Sequence, residues 1–290
     1  MQIAYHVGVH GSDRDRIIRT LMRNRETLWP LGIQIPAPRR YAGIFGDAIS
    51  ALKKGAADEE TQELLLASVM DSDHAERLIL SQSGFIGMPP KAISHHGMYP
   101  RSADRLTGLS NLFPETVVEF FTGLVHPARQ IDAVVRFCGG NYDEVMSGID
   151  PRTLRWAPMV QRWLDAIPDR DIVIWAQEDL PFIWPELLRR MAGVPTETPL
   201  QGDDLILADI LPEDTLRALK AEMTATPNLT AGQRRAMVER ALTALDEVPA
   251  MEVELSLTNW SQSLVDELSD IYAEDLAEIA ALPGVEFMSA

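Results

Sequence analysis

Short apolar segments alternate with amphipathic segments along the first two thirds of this chain, and that alternation restricts the fold more than any other feature. Four apolar segments have the composition of β-strands, at 3–9, 77–81, 116–124 and 171–175. Strands that are almost wholly apolar are typical of a sheet covered by helices on both faces. The sequence therefore predicts an α/β fold with three layers, α/β/α, around a central and mostly parallel sheet.

The segments between these strands have the spacing of helices. Helices are predicted at 16–28, 44–54, 59–70, 103–113, 128–138, 150–167 and 184–192, and after Pro199 at 213–224, 231–247 and 262–282. The segment 253–257 has the pattern of one short extra strand. No repeat and no linker divides the chain, so we expect one domain, residues 1–290, in which residues from about 200 to 290 form a mainly helical cap.

Composition restricts the classes of partner and the compartment. The net charge of −17 argues against nucleic acid or an anionic membrane as a partner. No apolar run approaches the roughly 20 residues of a membrane span, and the first residues lack a secretion signal. Cys138 is the single cysteine, which fits a reducing compartment. We therefore expect a cytoplasmic protein, and its acidic surface is compatible with a monomer or a homodimer.

The loop after the first strand is the main candidate for a ligand site. Ligands of parallel α/β sheets bind outside the carboxyl ends of the strands, which here gives loops at 11–15, 82–87, 125–129 and 177–180. The first of these loops runs into a helix N-terminus, where backbone N–H groups can hold a phosphate. The residues assigned to such an anion are Gly11, Ser12, Asp13, Arg14, Asp15 and Arg16.

The charges of this loop allow two explanations. Arg14 and Arg16 lie near the positive end of the helix dipole, which is unfavourable unless an anion compensates for them. A bound phosphate or sulfate is one such anion. The carboxylates of Asp13 and Asp15 are another, and they need no ligand. Ser12 or Asp13 can also cap the helix. The Gly-Lys-Ser/Thr sequence of ATPases and GTPases is absent.

Two further residues are candidates for proton transfer. His10 lies where the first strand opens into the loop, on the strand face that also carries His6, and it can act as a general base or as a hydrogen-bonded strand-end histidine. Glu178 follows the fourth strand at the same edge and can serve as an acid or base, as a helix cap, or as an arginine partner. With one cysteine and no His-x-x-x-His pair on a helix, we expect no metal site.

In their order along the chain, these features resemble the P-loop sulfotransferases of bacterial type. The matching segments are His-Val-Gly-Val-His at 6–10, the helix end at 24–28, Pro-Ala at 127–128, Trp-Ala-Gln-Glu-Asp-Leu at 175–180, and the tail at 271–275 and 282–285. The resemblance implies a P-loop-type fold and PAPS (3′-phosphoadenosine 5′-phosphosulfate) as the sulfuryl donor, with PAP as its product. It also implies a hydroxyl of a small molecule or glycan as the acceptor.

The PAPS-binding motifs of that family are degenerate in this chain. Gly11 stands at the position of the loop lysine, Val125 at that of an arginine, Ala133 near that of a serine, and Ser83 at that of a glutamate. Three functions therefore stay open. They are a PAPS-dependent sulfotransferase, a catalytically silent binding or interaction protein with the same fold, and another transferase that uses an anion or a nucleotide. Whether the chain is an enzyme depends on which of these holds.

Overall fold

The fold is built on a six-stranded parallel sheet. The structure is a computed structural model that describes residues 1–13, 15–53, 55–245, 257 and 260–290. The strands in these residues are β1 (Gln2–His6), β2 (Ile33–Gln34), β3 (Arg77–Ser81), β4 (Ile93–Ser94), β5 (Gly97–Met98), β6 (Val117–Leu124), β7 (Asp171–Ala176) and β8 (Val285–Met288). The main sheet has the order β2-β3-β1-β6-β7-β8, with every neighbouring pair parallel, and β4 and β5 form a small antiparallel pair.

The helices follow the strands in the alternation that the sequence predicts. In the described ranges they are α1 (Arg16–Arg23), α2 (Arg25–Leu28), α3 (Ile44–Leu52), α4 (Glu59–Val69), α5 (Ser102–Leu112), α6 (Pro127–Phe137), α7 (Tyr142–Met146), α8 (Ala157–Ala166), α9 (Leu180–Ala192), α10 (Leu205–Ile210), α11 (Glu213–Ala225), α12 (Ala231–Thr243) and α13 (Gln262–Ala280). Among these described helices, none is long and apolar enough to cross a membrane.

Two apolar layers cover the sheet. On one face, α3, α4, α5, α6, α8 and α13 bury side chains against the strands, and the rings of Tyr5 and Phe120 stack at 5.6 Å in the middle of this layer. On the other face, α1, α2 and α9 pack around Trp175 and Trp184. A smaller cluster joins α10, α11 and α12. The predicted three-layer α/β/α architecture is confirmed, because buried residues of both layers sandwich one parallel sheet.

The first strand is amphipathic in the way its sequence predicts, but only as far as His6. Tyr5 and Val7 pack in the first layer, whereas His6 stacks on a tryptophan of the second layer. Gly8 then adopts φ +113°, a backbone conformation that residues other than glycine rarely adopt. The His10 side chain lies on the side of the first layer, where it stacks on a tyrosine of that layer. The prediction that His10 shares the face of His6 is wrong, because strand alternation ends before it.

The predicted helix at 16–28 is two helices rather than one. The break lies at Asn24, whose side-chain oxygen accepts a hydrogen bond from the Gln201 N–H at 2.7 Å. The Asn24 amide donates to the Gln201 carbonyl at 2.9 Å in return. These two bonds to a distant loop fix Asn24, which is buried, between α1 and α2. The spacing of apolar residues gave no sign of this tertiary contact.

The predicted helix at 150–167 is shorter than its pattern suggested. A single 3-10 turn covers Pro151–Thr153, and α8 begins only at Ala157. The N-terminus of α8 is fixed by Asp275 of α13, whose carboxylate accepts hydrogen bonds from the N–H groups of Trp156 and Ala157. A carboxylate in this position compensates free N–H groups and the helix dipole together, so the helix starts where Asp275 reaches it.

The last strand was not predicted. β8 adds to the sheet beside β7, after α13, and its side chains are partly exposed, so its apolar pattern is weak. The extra strand predicted at 253–257 lies outside the described residues except for Leu257. β8 is therefore one of the two edge strands of the main sheet.

Candidate functional site

The loops that the sequence singled out lie along one edge of the sheet. The strands before them, β1, β3, β6 and β7, are adjacent and parallel, so their carboxyl ends meet at the same edge. The loops at 82–87, 125–129 and 177–180 follow those ends directly, and the loop at 11–15 follows the end of β1 after residues 7–10. This edge is where a ligand of a parallel α/β protein binds.

The segment between β1 and α1 is held tightly against β6. The N–H of Val9 donates to the Gly123 carbonyl at 3.3 Å, and the Gly123 N–H donates to the Gly8 carbonyl at 3.0 Å. The Thr122 hydroxyl also donates to the Gly8 carbonyl, at 2.7 Å. The entry to the loop is therefore fixed by the neighbouring strand.

The N-terminus of α1 already holds an anion, which is the side chain of Asp13. One carboxylate oxygen accepts a hydrogen bond from the Asp15 N–H at 3.1 Å, and the other accepts one from the Ile17 N–H at 3.1 Å. The Asp13 carbonyl accepts the Arg16 N–H at 3.0 Å. Asp13 is 7% exposed. Three backbone donors at this helix N-terminus, the N–H groups of Asp15, Arg16 and Ile17, are thus used by Asp13.

Two departures from the sulfotransferase motifs touch each other. Gly11 adopts φ +79°, and a Cβ placed on it would lie 2.7 Å from the Cβ of Ala133 on α6. Gly11 stands at the lysine position and Ala133 near the serine position. The loop therefore packs so closely on α6 that a lysine cannot replace Gly11 without a shift of the backbone. Ser12 is also engaged, because its hydroxyl donates to the Val9 carbonyl at 2.8 Å.

Arg16, which is the arginine of this loop among the described residues, forms an ion pair. Arg16 Nη2 lies 2.6 Å from the Asp209 carboxylate of α10. Asp15 is exposed and lies 3.7 Å from Arg19, one helical turn further on. Arg14 lies outside the described residues. The cation offered by Arg16 is thus neutralised by a carboxylate from the C-terminal third, not left open for a ligand.

The hydrogen bonds of His10 define its tautomer. The Tyr99 hydroxyl oxygen accepts from the His10 N–H at 3.1 Å and from the Gln130 amide at 3.0 Å. Its own proton therefore points to His10 Nδ1, at 2.8 Å. Burial lowers the pKa of His10 to about 4. The neutral imidazole consequently carries its proton on Nε2, where it is a hydrogen-bond donor, and this geometry does not support the predicted role as a base.

A second histidine, His6, is buried on the other side of the sheet. Its Nδ1 lies 2.8 Å from the Ser81 hydroxyl, and its ring stacks on Trp175 at 5.9 Å. Burial lowers the pKa of His6, against the opposing charge of Asp13. A Cβ at Gly123 would lie 2.7 Å from Trp175 Nε1, so the space beside the indole is closed. His6 is therefore a neutral packing residue.

The second predicted catalytic residue, Glu178, joins a different network. The Tyr272 hydroxyl of α13 donates to its carboxylate at 3.1 Å, and the His126 N–H donates to the other oxygen at 3.4 Å. Arg129 lies 3.7 Å away. Within the described ranges, no hydrogen bond, ion pair or ring contact joins Glu178 to His10. The structure thus separates the two predicted catalytic groups.

One cluster has the residue types of a hydrolase triad, namely Ser269, His126 and Glu178. Its hydrogen bonds, however, run in the direction opposite to that of a catalytic triad. His126 Nδ1 accepts the Ala128 N–H at 3.2 Å, so the neutral ring carries its proton on Nε2. That Nε2 donates to the Ser269 hydroxyl at 3.1 Å, and the hydroxyl donates to the Val265 carbonyl at 2.9 Å. A nucleophilic serine must instead donate to the histidine. The cluster holds α13 in place.

The described residues of this edge do not fit PAPS as a cofactor. The N-terminus of α1 is capped by Asp13, and the arginine that the structure describes in the loop is paired with Asp209. In the part of the chain that the structure describes, no group of three or more His, Cys, Asp or Glu side chains is arranged to hold a metal ion.

Several residues that define this edge were missed by sequence reasoning. Tyr99 and Gln130 orient His10, Asp209 neutralises Arg16, and Tyr272 engages Glu178. The resemblance drew attention to the tail that contains Tyr272, but nothing in the local sequence pairs it with Glu178. The others carry no local signal, because each meets its partner only through the tertiary fold.

The fold and the site together define an α/β/α protein with a parallel sheet. Its first strand, loop and helix have the arrangement that binds phosphate in other α/β proteins. Here the Asp13 carboxylate occupies the N-terminus of that helix. No model of a known protein family matches the chain, and no curated protein matches it. Among solved structures, the crystal structure of a sulfotransferase from Alicyclobacillus acidocaldarius is similar, with 15% identity and a TM-score of 0.42 over 82% of this chain and 96% of that chain. Similarity at this level carries no argument about function.

Proposed function

We propose that this chain is a catalytically silent protein with a sulfotransferase-like fold, which binds a ligand or partner and does not use PAPS as a sulfuryl donor. The observation that carries the proposal is the Asp13 carboxylate on the N–H groups of Asp15 and Ile17. A carboxylate at a helix N-terminus supplies the negative charge that a phosphosulfate would bring. A second anion beside it would meet like charge at close range.

The surroundings of the loop support the same proposal. The contact between Gly11 and Ala133 leaves no room for the lysine that would face a donor phosphate. Arg16 is paired with Asp209 and gives no free charge to a ligand. Neither His10 nor Glu178 is placed to take a proton from an acceptor, since the Tyr99 hydroxyl occupies His10 Nδ1 and Glu178 accepts from Tyr272.

The class of partner follows from charge. A chain with a net charge of −17 favours neutral or cationic ligands and protein partners over nucleic acid and anionic membranes. A small molecule therefore remains the first candidate, and self-association into a homodimer is the second. Size-exclusion chromatography with light scattering distinguishes monomer from homodimer directly.

Thermal unfolding with and without millimolar PAP tests the absence of a donor site. Because a ligand that binds only the folded state stabilises it, PAP at a hundred times its Kd would raise the Tm by roughly 4 °C. We expect no shift beyond that of sodium chloride at equal ionic strength. A clear rise in Tm, or transfer of labelled sulfate from PAPS to an aryl alcohol, would overturn the proposal in favour of an active sulfotransferase.

Removal of the internal anion tests the role of Asp13. Asp13→Ala leaves the N–H groups of Asp15 and Ile17 without their acceptor, so the free energy of unfolding should fall by about 1–2 kcal/mol, measured by urea titration.

The matched control is Asp15→Asn. Asp15 has φ 61°, which asparagine tolerates, and its exposed side chain should contribute less than about 0.5 kcal/mol. Equal losses in the two variants would mean that Asp13 does not hold the helix N-terminus.

A further inference from the structure

A cavity of about 540 Å³ lies between two of the apolar clusters of the protein. Its wall comes from α9, α10, α11, α12 and the loops between them. Leu200 in this wall belongs to the second layer that covers the sheet, whereas Leu207, Leu219 and Met223 belong to the small cluster of the C-terminal helices. Protein interiors are close-packed, so a gap of this size between two apolar clusters is uncommon. The volume is that of a small-molecule site, which is roughly 300–1,000 Å³.

The wall also carries charged side chains, and two of its cations are paired with carboxylates of the same wall. Arg189 makes a bidentate pair with Asp203, with N···O distances of 2.7 and 2.8 Å. Lys220 of α11 pairs with Asp204. Neither pair therefore offers an uncompensated charge to a ligand.

The third cation of the wall, Arg234, joins α12 to α9. Its Nη1 donates to the Phe182 carbonyl at 2.7 Å, and its Nη2 approaches the Pro181 carbonyl at 3.5 Å. Pro185, four residues after Pro181, has no N–H, so the Pro181 carbonyl lacks its helical donor. Arg234 replaces that donor and is thereby held on α9.

The third carboxylate of the wall, Glu186, faces arginines of α12. Both of its carboxylate oxygens are buried, and Arg235 Nε lies 4.0 Å from one of them. Burial lowers the pKa of Arg234, and the negative charge of Glu186 acts against that shift. The three cations and three carboxylates of the wall, all of them described residues, thus compensate one another.

We propose that this cavity binds an uncharged small molecule with a mainly apolar body. A charged ligand would lose hydration beside groups that are already paired, which is unfavourable. An uncharged apolar ligand instead removes its own surface and that of the leucine and methionine side chains from water, and it joins the two apolar clusters. The cavity uses none of the residues of the first loop, so this proposal and the absence of PAPS binding are tested independently.

Three probes with the same ring system test the charge of the ligand. They are 2-naphthalenemethanol, which is uncharged, 2-naphthylmethylamine, which is a cation at neutral pH, and 2-naphthoate, which is an anion. Each can be titrated into the full chain and followed by amide NMR. We expect the alcohol to bind with a Kd of about 1 mM or below, with amide shifts in α9, α10, α11 and α12. Both ions should bind at least about tenfold more weakly.

Equal binding of the three probes would overturn the proposal, because the wall would then not select against charge. Tighter binding of either ion, shifts confined to other parts of the chain, or no binding of the alcohol at millimolar concentration would overturn it as well.

Met223→Gln tests the apolar wall with a side chain of similar length. Met237→Gln on α12 is the matched control, because Met237 packs in the same small cluster but does not line the cavity. We expect 2-naphthalenemethanol to bind Met223→Gln at least about fivefold more weakly, with affinity unchanged in the control. Unchanged affinity in Met223→Gln would contradict the assignment. Circular dichroism reports whether that variant is folded, and if it is not, the comparison of the three probes on the wild-type chain decides the question.

Discussion

Single buried carboxylates take the places at helix N-termini where a bound anion would otherwise be stable. Asp13 caps α1, and Asp275 caps α8 from a helix 119 positions further along the chain. Burial raises the pKa of Asp275, while its bonds to the N–H groups of Trp156 and Ala157 act in the opposite direction. In both cases a side chain supplies the charge that the helix dipole favours.

His10 should make the stability depend on pH. Its folded-state pKa of about 4 lies below the value near 6.5 expected in the unfolded chain. As the pH falls, the unfolded state therefore takes up the proton first. The free energy of unfolding should decrease between about pH 6.5 and pH 4, with a slope of at most about 1.4 kcal/mol per pH unit from this residue.

Urea titrations at about pH 7.5 and about pH 5 measure this effect. His10→Gln should reduce the difference between the two conditions, because no imidazole remains to be protonated. His95→Gln, at an exposed histidine, is the control and should leave the difference unchanged. A His10→Gln chain with the full wild-type difference would contradict the assignment.

At the scale of elements, the C-terminal helix is fixed to the sheet by polar contacts that the sequence pattern does not show. Tyr272 of α13 is buried and donates to Glu178 at the end of β7. Burial raises the pKa of Tyr272 well above its usual value, and the nearby Glu178 carboxylate acts in the same direction. The hydroxyl therefore stays protonated and remains a donor throughout the neutral range.

Tyr272→Phe removes this hydrogen bond and leaves the ring in place. We expect the free energy of unfolding to fall by about 1.5–3 kcal/mol, since the acceptor is a carboxylate. A double-mutant cycle with Glu178→Gln should give a coupling of about 0.5 kcal/mol or more.

The control on the same helix is Glu274→Gln, at an exposed position, with an expected change within about 0.5 kcal/mol. A coupling of zero would show that the contact does not hold α13 to the sheet.

Across the whole molecule, one ionic network joins three strands and a helix. Arg77 of β3 and Arg190 of α9 both pair with Glu119 of β6, and Arg190 also pairs with Glu286 of β8. Arg77 and Glu119 are buried. Burial alone would raise the pKa of Glu119, yet the two guanidinium groups hold that pKa below its usual value.

That all 290 residues form one domain stays a prediction.

Glu119→Gln should be among the most destabilising single changes in the chain. It leaves the Arg77 cation buried without its partner, and the expected loss is about 3–5 kcal/mol by urea titration. Glu213→Gln, at an exposed pair with Arg217, should lose less than about 1 kcal/mol. Similar losses in the two variants would contradict a structural role for the buried network.

The sequence by itself determined the layers of this protein. Alternation and helical spacing are local properties, so β1, β3, β6 and β7 and most helices were predictable, and with them the edge where the candidate loops lie. β8 was not predictable, because its short, half-exposed pattern becomes a strand only beside β7.

Only the tertiary structure decided what the residues of that edge do. The loop sequence allowed a ligand or Asp13 as the anion at α1, and it offered His10 as a base. The bonds of Asp13 are local, but the roles of His10 and Arg16 depended on contacts between distant segments, such as Tyr99 with His10, 89 positions apart, and Asp209 with Arg16. A hydrogen bond or ion pair forms wherever the fold brings donor and acceptor together, whatever their separation along the chain. For that reason the fold could be predicted from the sequence, and the use of its polar groups could not.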